Sequence, residues 1–151
     1  SRESLPEYVT YREEVVRAAA AVNDRWATSD WQPLVCDNRD HFAGSIAALE
    51  RYDVLYVNPI KDGLNLVAKE GPLCNTRDGV ICLSPEAGAY DELGEAVVPV
   101  HPYDLEQNAD ALHAALTMDA DERAARADRL RTLAAARTPR SWLDDQLSAL
   151  G

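Results

Sequence analysis

Val54-Leu55-Tyr56-Val57 runs directly into Asn58-Pro59-Ile60-Lys61-Asp62-Gly63-Leu64-Asn65-Leu66-Val67-Ala68-Lys69-Glu70. The first four residues are a short, continuous, β-rich apolar run, as expected of a strand buried on both faces. Pro59, Asp62 and Gly63 bring loop chemistry. Asn65 is a good N-cap, and residues 66–70 open a helix. Gly71-Pro72 is expected to end or kink that helix early, because proline lacks an amide donor and restricts the residue before it. The unit is therefore strand, loop, helix.

The same alternation extends downstream. Val80 to Leu83 reads as a second buried strand, entered through Asp78-Gly79. Residues 84–94 hold a glycine-containing loop and a short helix at Tyr90 to Leu93. Residues 96–100 read as a third strand, which Pro99 places at an edge. Asp104 caps a helix over residues 105–116, with Gln107 at the reciprocal capping position. Asp119 and Glu122 repeat that signal for a helix to about Ala136, whose Ala/Arg-rich part is a solvated face over an Ala/Leu stripe. Thr138-Pro139 opens a last helix ending near Leu150, on which Trp142, Leu143 and Leu147 can pack.

Upstream, residues 4–26 read as a long helix. Tyr8, Tyr11, Val15, Ala18, Val22 and Trp26 recur at helical spacing, and Ser4 with Glu7 has the capping-box spacing. Leu34-Val35-Cys36 is expected to be a short buried strand, and residues 42–51 a helix. Strands alternating with helices predict an α/β fold with a doubly wound, Rossmann-like parallel sheet, Val54 to Val57 being central. Ligands of such sheets bind beyond the carboxyl ends of the strands, which directs attention to the loops after Val57, Leu83 and Val100.

Composition sets the outer limits. At 151 residues the chain fits one domain, residues 1–151, with enough length for its own core. Lys+Arg total 15 against Asp+Glu 26, a net charge of −11, which repels a phosphate backbone and disfavours nucleic acid as a partner. No apolar run is long enough to cross a membrane, and no signal peptide is visible. Cys36, Cys74 and Cys82 form no CxxC pair and read as reduced thiols of a cytoplasmic protein. No clustered carboxylates or histidines suggest a metal, and no cofactor is implied. The chain begins at Ser1 rather than Met, and truncation upstream is expected. Nothing in the sequence excludes a homo-oligomer.

The chemistry concentrates in residues 58–70. Gly63 permits a positive φ and close approach of a ligand to the backbone. The amides of Leu64, Asn65 and Leu66, at a helix start, suit a phosphate. Asp62 in the loop can grip sugar hydroxyls, and Glu70, eight positions on, a ribose diol. These parts fit a sugar–nucleotide diphosphate, although a strand–loop–helix turn uses Asp, Gly and Asn for structural reasons too.

Residues 58–70 resemble the donor motif of the trehalose-6-phosphate synthase family, retaining glycosyltransferases of the two-domain GT-B arrangement, without a break from Asp62 to Glu70. Further likenesses occur in the family's order: Trp31-Gln32-Pro33-Leu34, Arg51-Tyr52-Asp53-Val54, Ser84-Pro85-Glu86-Ala87-Gly88-Ala89 with Glu92-Leu93, Pro102-Tyr103-Asp104, and Ala115-Leu116-Thr117-Met118. His101 stands where many relatives have Asn. The resemblance implies the C-terminal, nucleotide-sugar-binding half of such an enzyme, lacking its first strands and belonging to a larger two-domain protein.

It also implies roles. Asp62 would hold hydroxyls of the transferred glucose as the catalytic contact. Main-chain groups of Gly63, Leu64, Asn65 and Leu66, with Val67 in the same donor-binding stretch, would support sugar and diphosphate. Glu70 would take the ribose hydroxyls, and residues 38–46 would lie beside the base. The implied reaction moves glucose from UDP- or GDP-glucose to glucose 6-phosphate with retention. The acceptor, and the Arg and Lys that neutralise the diphosphate, would be held by segments outside these residues, so the isolated chain is expected to be inactive. A sibling enzyme with another acceptor (a glucosylglycerol-phosphate synthase or an aminocyclitol pseudo-glycosyltransferase) and a non-catalytic regulatory domain remain as alternatives.

Overall fold

The structure, a computed structural model, describes residues 5–37 and 41–149. The chain divides into two compact units, Ser1–His41 and Phe42–Gly151.

The first unit is built on helix α1, Pro6–Trp26, with Pro6 in its first turn where a missing amide donor costs nothing. The capping contribution expected of Ser4 lies outside the described residues; Leu5 precedes the helix in an extended conformation. No residue of α1 is buried; the stripe from Tyr8 to Trp26 stays exposed, and its Val15, Ala18 and Val22 line an open cavity with Leu34, Val35 and Cys36. Leu34-Val35-Cys36 is not a strand. The Leu34 main chain is held by the Asn23 side chain, which donates to the Leu34 carbonyl (2.9 Å) and accepts from its amide (3.0 Å). A side-chain amide thus takes the place of a ladder, and Val35 is left exposed.

The second unit holds the sheet. Strands β1 (Val54–Val57), β2 (Val80–Leu83) and β3 (Val98–Pro99) pair in parallel in the order β1-β2-β3. Val54 lies opposite Val80 and Cys82 opposite Val98. The central strand is therefore β2, not β1. All four β2 residues are buried, whereas Tyr56 of β1 is exposed, which is the difference between a strand flanked on both sides and one at an edge. β3 is shorter than the sequence suggested. Residues 94–96 form a 3₁₀ turn, and Pro99 sits at the edge where its absent amide breaks no ladder.

Alternation along β2 sends its side chains to two cores. Ile81 and Leu83 pack with Ala68, Leu93, Ala96 and Leu130, and Val80 and Cys82 pack with Val100, Ala111 and Ala115. Helices α3 (Leu66–Cys74), α4 (Tyr90–Leu93) and α6 (Ala120–Ala136) supply the first core. Helix α5 (Leu105–Thr117) supplies the second. The sheet is thus doubly wound, as expected. Asp104 caps α5 by accepting from the Gln107 amide (2.9 Å), but its own amide goes to the His101 carbonyl (3.1 Å), so the reciprocal arm of the capping box is not made. Helix α2 spans Phe42–Leu49 and α7 spans Pro139–Ala149, where Trp142, Leu143 and Leu147 are exposed rather than packed.

Helix α3 runs straight through Gly71-Pro72 to Cys74. Both residues are buried, and a Cβ on Gly71 would lie 2.5 Å from Leu55 Cδ2, so the glycine lets the helix press against β1. Tertiary packing overrides the missing proline donor here. Beyond the helix, buried Asn75 donates to the carbonyls of Leu49 (3.3 Å) and Tyr52 (2.9 Å) and accepts from the amides of Arg77 and Gly79 (2.9 Å each). One side chain thereby joins the end of α2, the entry to β1, the exit of α3 and the entry to β2. Asp78, at φ 53°, is held in this turn by Arg131 (2.6 Å).

Two measurements test this packing. Asn75→Ala strips four hydrogen bonds and strands buried main-chain groups, so urea denaturation should show a loss of about 3 kcal/mol. Burial, partly offset by Arg131, pushes the Tyr52 phenol up to about 12, and burial pushes the Cys82 thiol up to about 11. Both shifts favour the neutral form in the folded state. Stability is then fully present below the unfolded pKa values and falls as pH rises toward 12. Tyr52→Phe should flatten the upper part of that decline in melting curves recorded against pH.

Candidate functional site

Where β1 and β2 end side by side, the chain continues into two loops, residues 58–65 and 84–89. The Ser84 amide extends the ladder by donating to the Val57 carbonyl (2.9 Å). The two loops are then joined again further out. The Asp62 amide donates to the Glu86 carbonyl (3.0 Å), the Gly88 amide to the Asp62 carbonyl (3.0 Å) and the Ala89 amide to the Leu64 carbonyl (2.8 Å). Asp62 and Ala87 form a parallel bridge. A Cβ on Gly88 would fall 2.1 Å from the Gly63 carbonyl oxygen, so only glycine allows this approach. Buried Ser84 supports the second loop by accepting from the Glu86 amide (3.1 Å).

The first loop is ordered from within. Asp62 accepts from the Leu64 amide through Oδ1 (3.2 Å) and from Asn65 Nδ2 through Oδ2 (3.0 Å). Asn65 in turn accepts from the Ala68 amide (3.0 Å), the N-cap bond expected of it. The left-handed residue of this loop is Asn65, at φ 65°, and Gly63, which permits a positive φ, does not adopt one. Asparagine tolerates this region, and its two side-chain bonds hold it there. Gly63 has nothing within 4 Å of where a Cβ would stand, so its main chain borders open space.

Of the amides singled out from sequence, that of Leu64 is taken by Asp62. Those of Gly63, Asn65 and Leu66 have no acceptor among the described residues and lie at or just before the start of α3. Leu64, Leu66 and Val67 expose apolar side chains around them. Glu70, one turn along α3, is exposed and without a partner among the described residues, as is Lys61 in the loop. Lys69 pairs with Glu92 of α4 at 2.8 Å. Asn58, at the end of β1, donates to the Tyr56 hydroxyl (2.7 Å) and keeps a buried Oδ1 without a partner.

The third loop of this end of the sheet follows Val100. His101, Tyr103, Asp104, Leu105 and Gln107 line an open cavity there. His101 Nδ1 faces the Tyr103 amide at 3.4 Å, and its carbonyl accepts from Asn108 Nδ2 (2.9 Å). His113 is exposed on α5. Residues 38–40, expected beside a nucleotide base, lie outside the described residues. Among those described, no three His, Cys, Asp or Glu side chains gather as metal ligands, and no helix is long and apolar enough to cross a membrane.

The loop-to-loop seam and the identity of Lys69's ion-pair partner, Glu92, escaped the sequence reading. The glycine of Ala87-Gly88-Ala89 was the available signal for the first. The second had none, since 23 residues separate the partners.

The α/β fold is that of a portion of a GT-B glycosyltransferase, as its likeness to trehalose-phosphate synthase structures over 99% of the chain shows. The whole chain, residues 1–151, matches glycosyltransferase family 20. It is 37% identical over 136 residues to the validamine 7-phosphate valienyltransferase of Streptomyces hygroscopicus subsp. jinggangensis, covering 90% of this chain and 27% of that protein. To the trehalose-6-phosphate synthase of Citrobacter koseri it is 38% identical over 137 residues, covering 88% of this chain and 29% of the relative. The crystal structure of an alpha,alpha-trehalose-phosphate synthase (UDP-forming) from Burkholderia vietnamiensis superimposes with a TM-score of 0.90 at 37% identity, over 99% of this chain and 35% of that one. The chain belongs to glycosyltransferase family 20, the trehalose-6-phosphate synthase family. It spans about a third or less of the length of these relatives.

Gly88→Ala tests the seam. The added methyl forces the two loops apart, and amide exchange at Gly88 and Ala89 should quicken while the β2 amides Val80–Leu83 keep their protection.

Proposed function

We propose that the protein is a retaining glucosyltransferase that moves glucose from a nucleotide diphosphate glucose to glucose 6-phosphate, forming trehalose 6-phosphate, and that residues 1–151 supply the donor-binding part. The observation that supports this most directly is the stretch from Asp62 to Glu70. It matches the family's donor motif without a break and folds as an amide-rich helix start beyond the carboxyl ends of parallel strands.

In this reading the free amides of Gly63, Asn65 and Leu66 face the diphosphate and sugar, where the partial positive charge of a helix start favours an anion. Leu64 and Val67 shape the apolar rim, and Leu64 holds the loop through its bond to Asp62. Asp62 retains lone pairs beyond its two internal bonds, and these accept hydroxyls of the transferred glucose. Glu70 accepts the ribose diol. No carboxylate of this chain is assigned as a nucleophile, so the rate arises from positioned donors that stabilise charge building on the departing diphosphate. The two-carboxylate scheme of glycosidases does not apply.

A second reading rests on the Streptomyces relative, which is as similar to this chain as the trehalose enzymes are. That relative is a valienyltransferase acting on validamine 7-phosphate, so in this reading the group transferred is a cyclitol and the acceptor an aminocyclitol phosphate. Turnover of UDP- or GDP-glucose with glucose 6-phosphate by the full-length protein supports the first reading, and turnover only of a nucleotide-linked cyclitol with an aminocyclitol phosphate supports the second.

Kinetics on the full-length protein test the residue roles. Glu70→Gln should mainly raise the donor KM, because a ribose contact is made equally in ground and transition states. Asp62→Asn should lower kcat about ten- to a hundredfold, since the glucose changes charge and shape during transfer. If both variants keep kcat and donor KM within about twofold, the donor site lies elsewhere.

A further inference from the structure

Lys69 and Glu92 form the least exposed ion pair among the described residues. Their side chains are 19% and 26% exposed, while in the other pairs both partners are at least 32% exposed. Partial burial weakens screening by solvent and salt, so this pair is a stiffer link than its surface counterparts. Its place matters more than its strength. Lys69 lies one turn into α3, just before Glu70, and Glu92 lies in α4, the short helix that follows the loop of residues 84–89. The two segments are already joined at their other end by the bonds of Asp62 and Leu64 to Glu86, Gly88 and Ala89. The ion pair is a further attachment between the same two segments, beside the buried packing of Ala68 with Ala87, Ala89 and Leu93.

Buried Ala68, Gly71 and Pro72 seat α3 in the core, and the ion pair ties its first turns to α4 as well. We propose that Lys69 and Glu92 are a positioning pair. Their ion pair fixes α3 against the joined loops, so that the free amides of Gly63, Asn65 and Leu66 and the carboxylate of Glu70 address one ligand together. The consequence for the ligand rests on the donor-site reading above. Neither residue touches the ligand in this proposal; both act through the orientation of α3.

The test uses the full-length protein carrying Lys69→Met, Glu92→Gln, the double variant and the conservative Lys69→Arg. In hydrogen exchange, Lys69→Met and Glu92→Gln should each speed the amides of Asp62, Gly88 and Ala89 about three- to tenfold. The β2 amides Val80–Leu83 should be unchanged, and Lys69→Arg should restore most of the protection. In steady-state assays the donor KM should rise by a similar factor with kcat within about twofold. The double variant should be no worse than the poorer single one, as for residues acting as a unit. Unchanged exchange at Gly88 and Ala89 overturns the proposal, as does equal acceleration in β2, which means general destabilisation. A donor KM that stays put while exchange quickens also overturns it. If the parent turns over no nucleotide sugar, the donor-site reading fails, and the exchange pattern still decides whether the pair fixes α3.

Discussion

The second unit depends on the seam between the loops that leave β1 and β2. Parallel strands end with their last carbonyls and amides in register, and the chain must then turn away toward its crossover helices. Here the loops stay together for several residues more, through three main-chain hydrogen bonds and the close approach of Gly88 to the Gly63 carbonyl. That constraint fixes where residue 62 lies, hence where Asn65 must turn left-handed, hence where α3 begins and which amides it leaves free. The seam has no side chain of its own. It exists because position 88 carries none.

The opposite end of the sheet is organised by different means. Asn75 gathers four main-chain groups, and Tyr52 packs against Gly71 and Gly79. One end of the strands is therefore locked by a buried amide hub and an aromatic wedge, and the other by backbone alone. The first leaves little room for anything but protein. The second leaves exposed amides, open space beside Gly63 and exposed apolar side chains at Leu64, Leu66 and Val67.

Much of this was legible in the sequence where local chemistry decided the outcome. The strand at Val54, the N-cap at Asn65, the short helix at Tyr90 and the edge position of Pro99 all followed from residue type and spacing. What was not legible depended on partners far along the chain. Leu34-Val35-Cys36 has the composition of a strand, but Asn23 takes the hydrogen bonds of Leu34. Gly71-Pro72 has the composition of a helix end, yet burial against Leu55 carries α3 past it. β1 looks central from its four apolar residues, while sheet order gives that place to β2. Gly63 was the natural candidate for a left-handed residue, but Asp62 and Ala68 pin Asn65 there instead. In the candidate site the placement of Asp62, Asn65 and Glu70 on one loop and helix start was legible and their mutual bonds were not, because Asp62 reads the same whether it binds a ligand or its neighbours.

A site whose donors are main-chain amides separates two kinds of inherited change. Substitutions at Leu64, Leu66 or Val67 alter size and polarity at the rim while the amide array persists, because every residue but proline brings the same N–H. Substitutions at residues 88 or 65 alter no contact surface directly, yet they move the array itself. Descendants of such a chain can explore new ligands through the first set by small steps. They can change the second only by rebuilding both loops at once, so the geometry of the amide array outlasts changes at its rim.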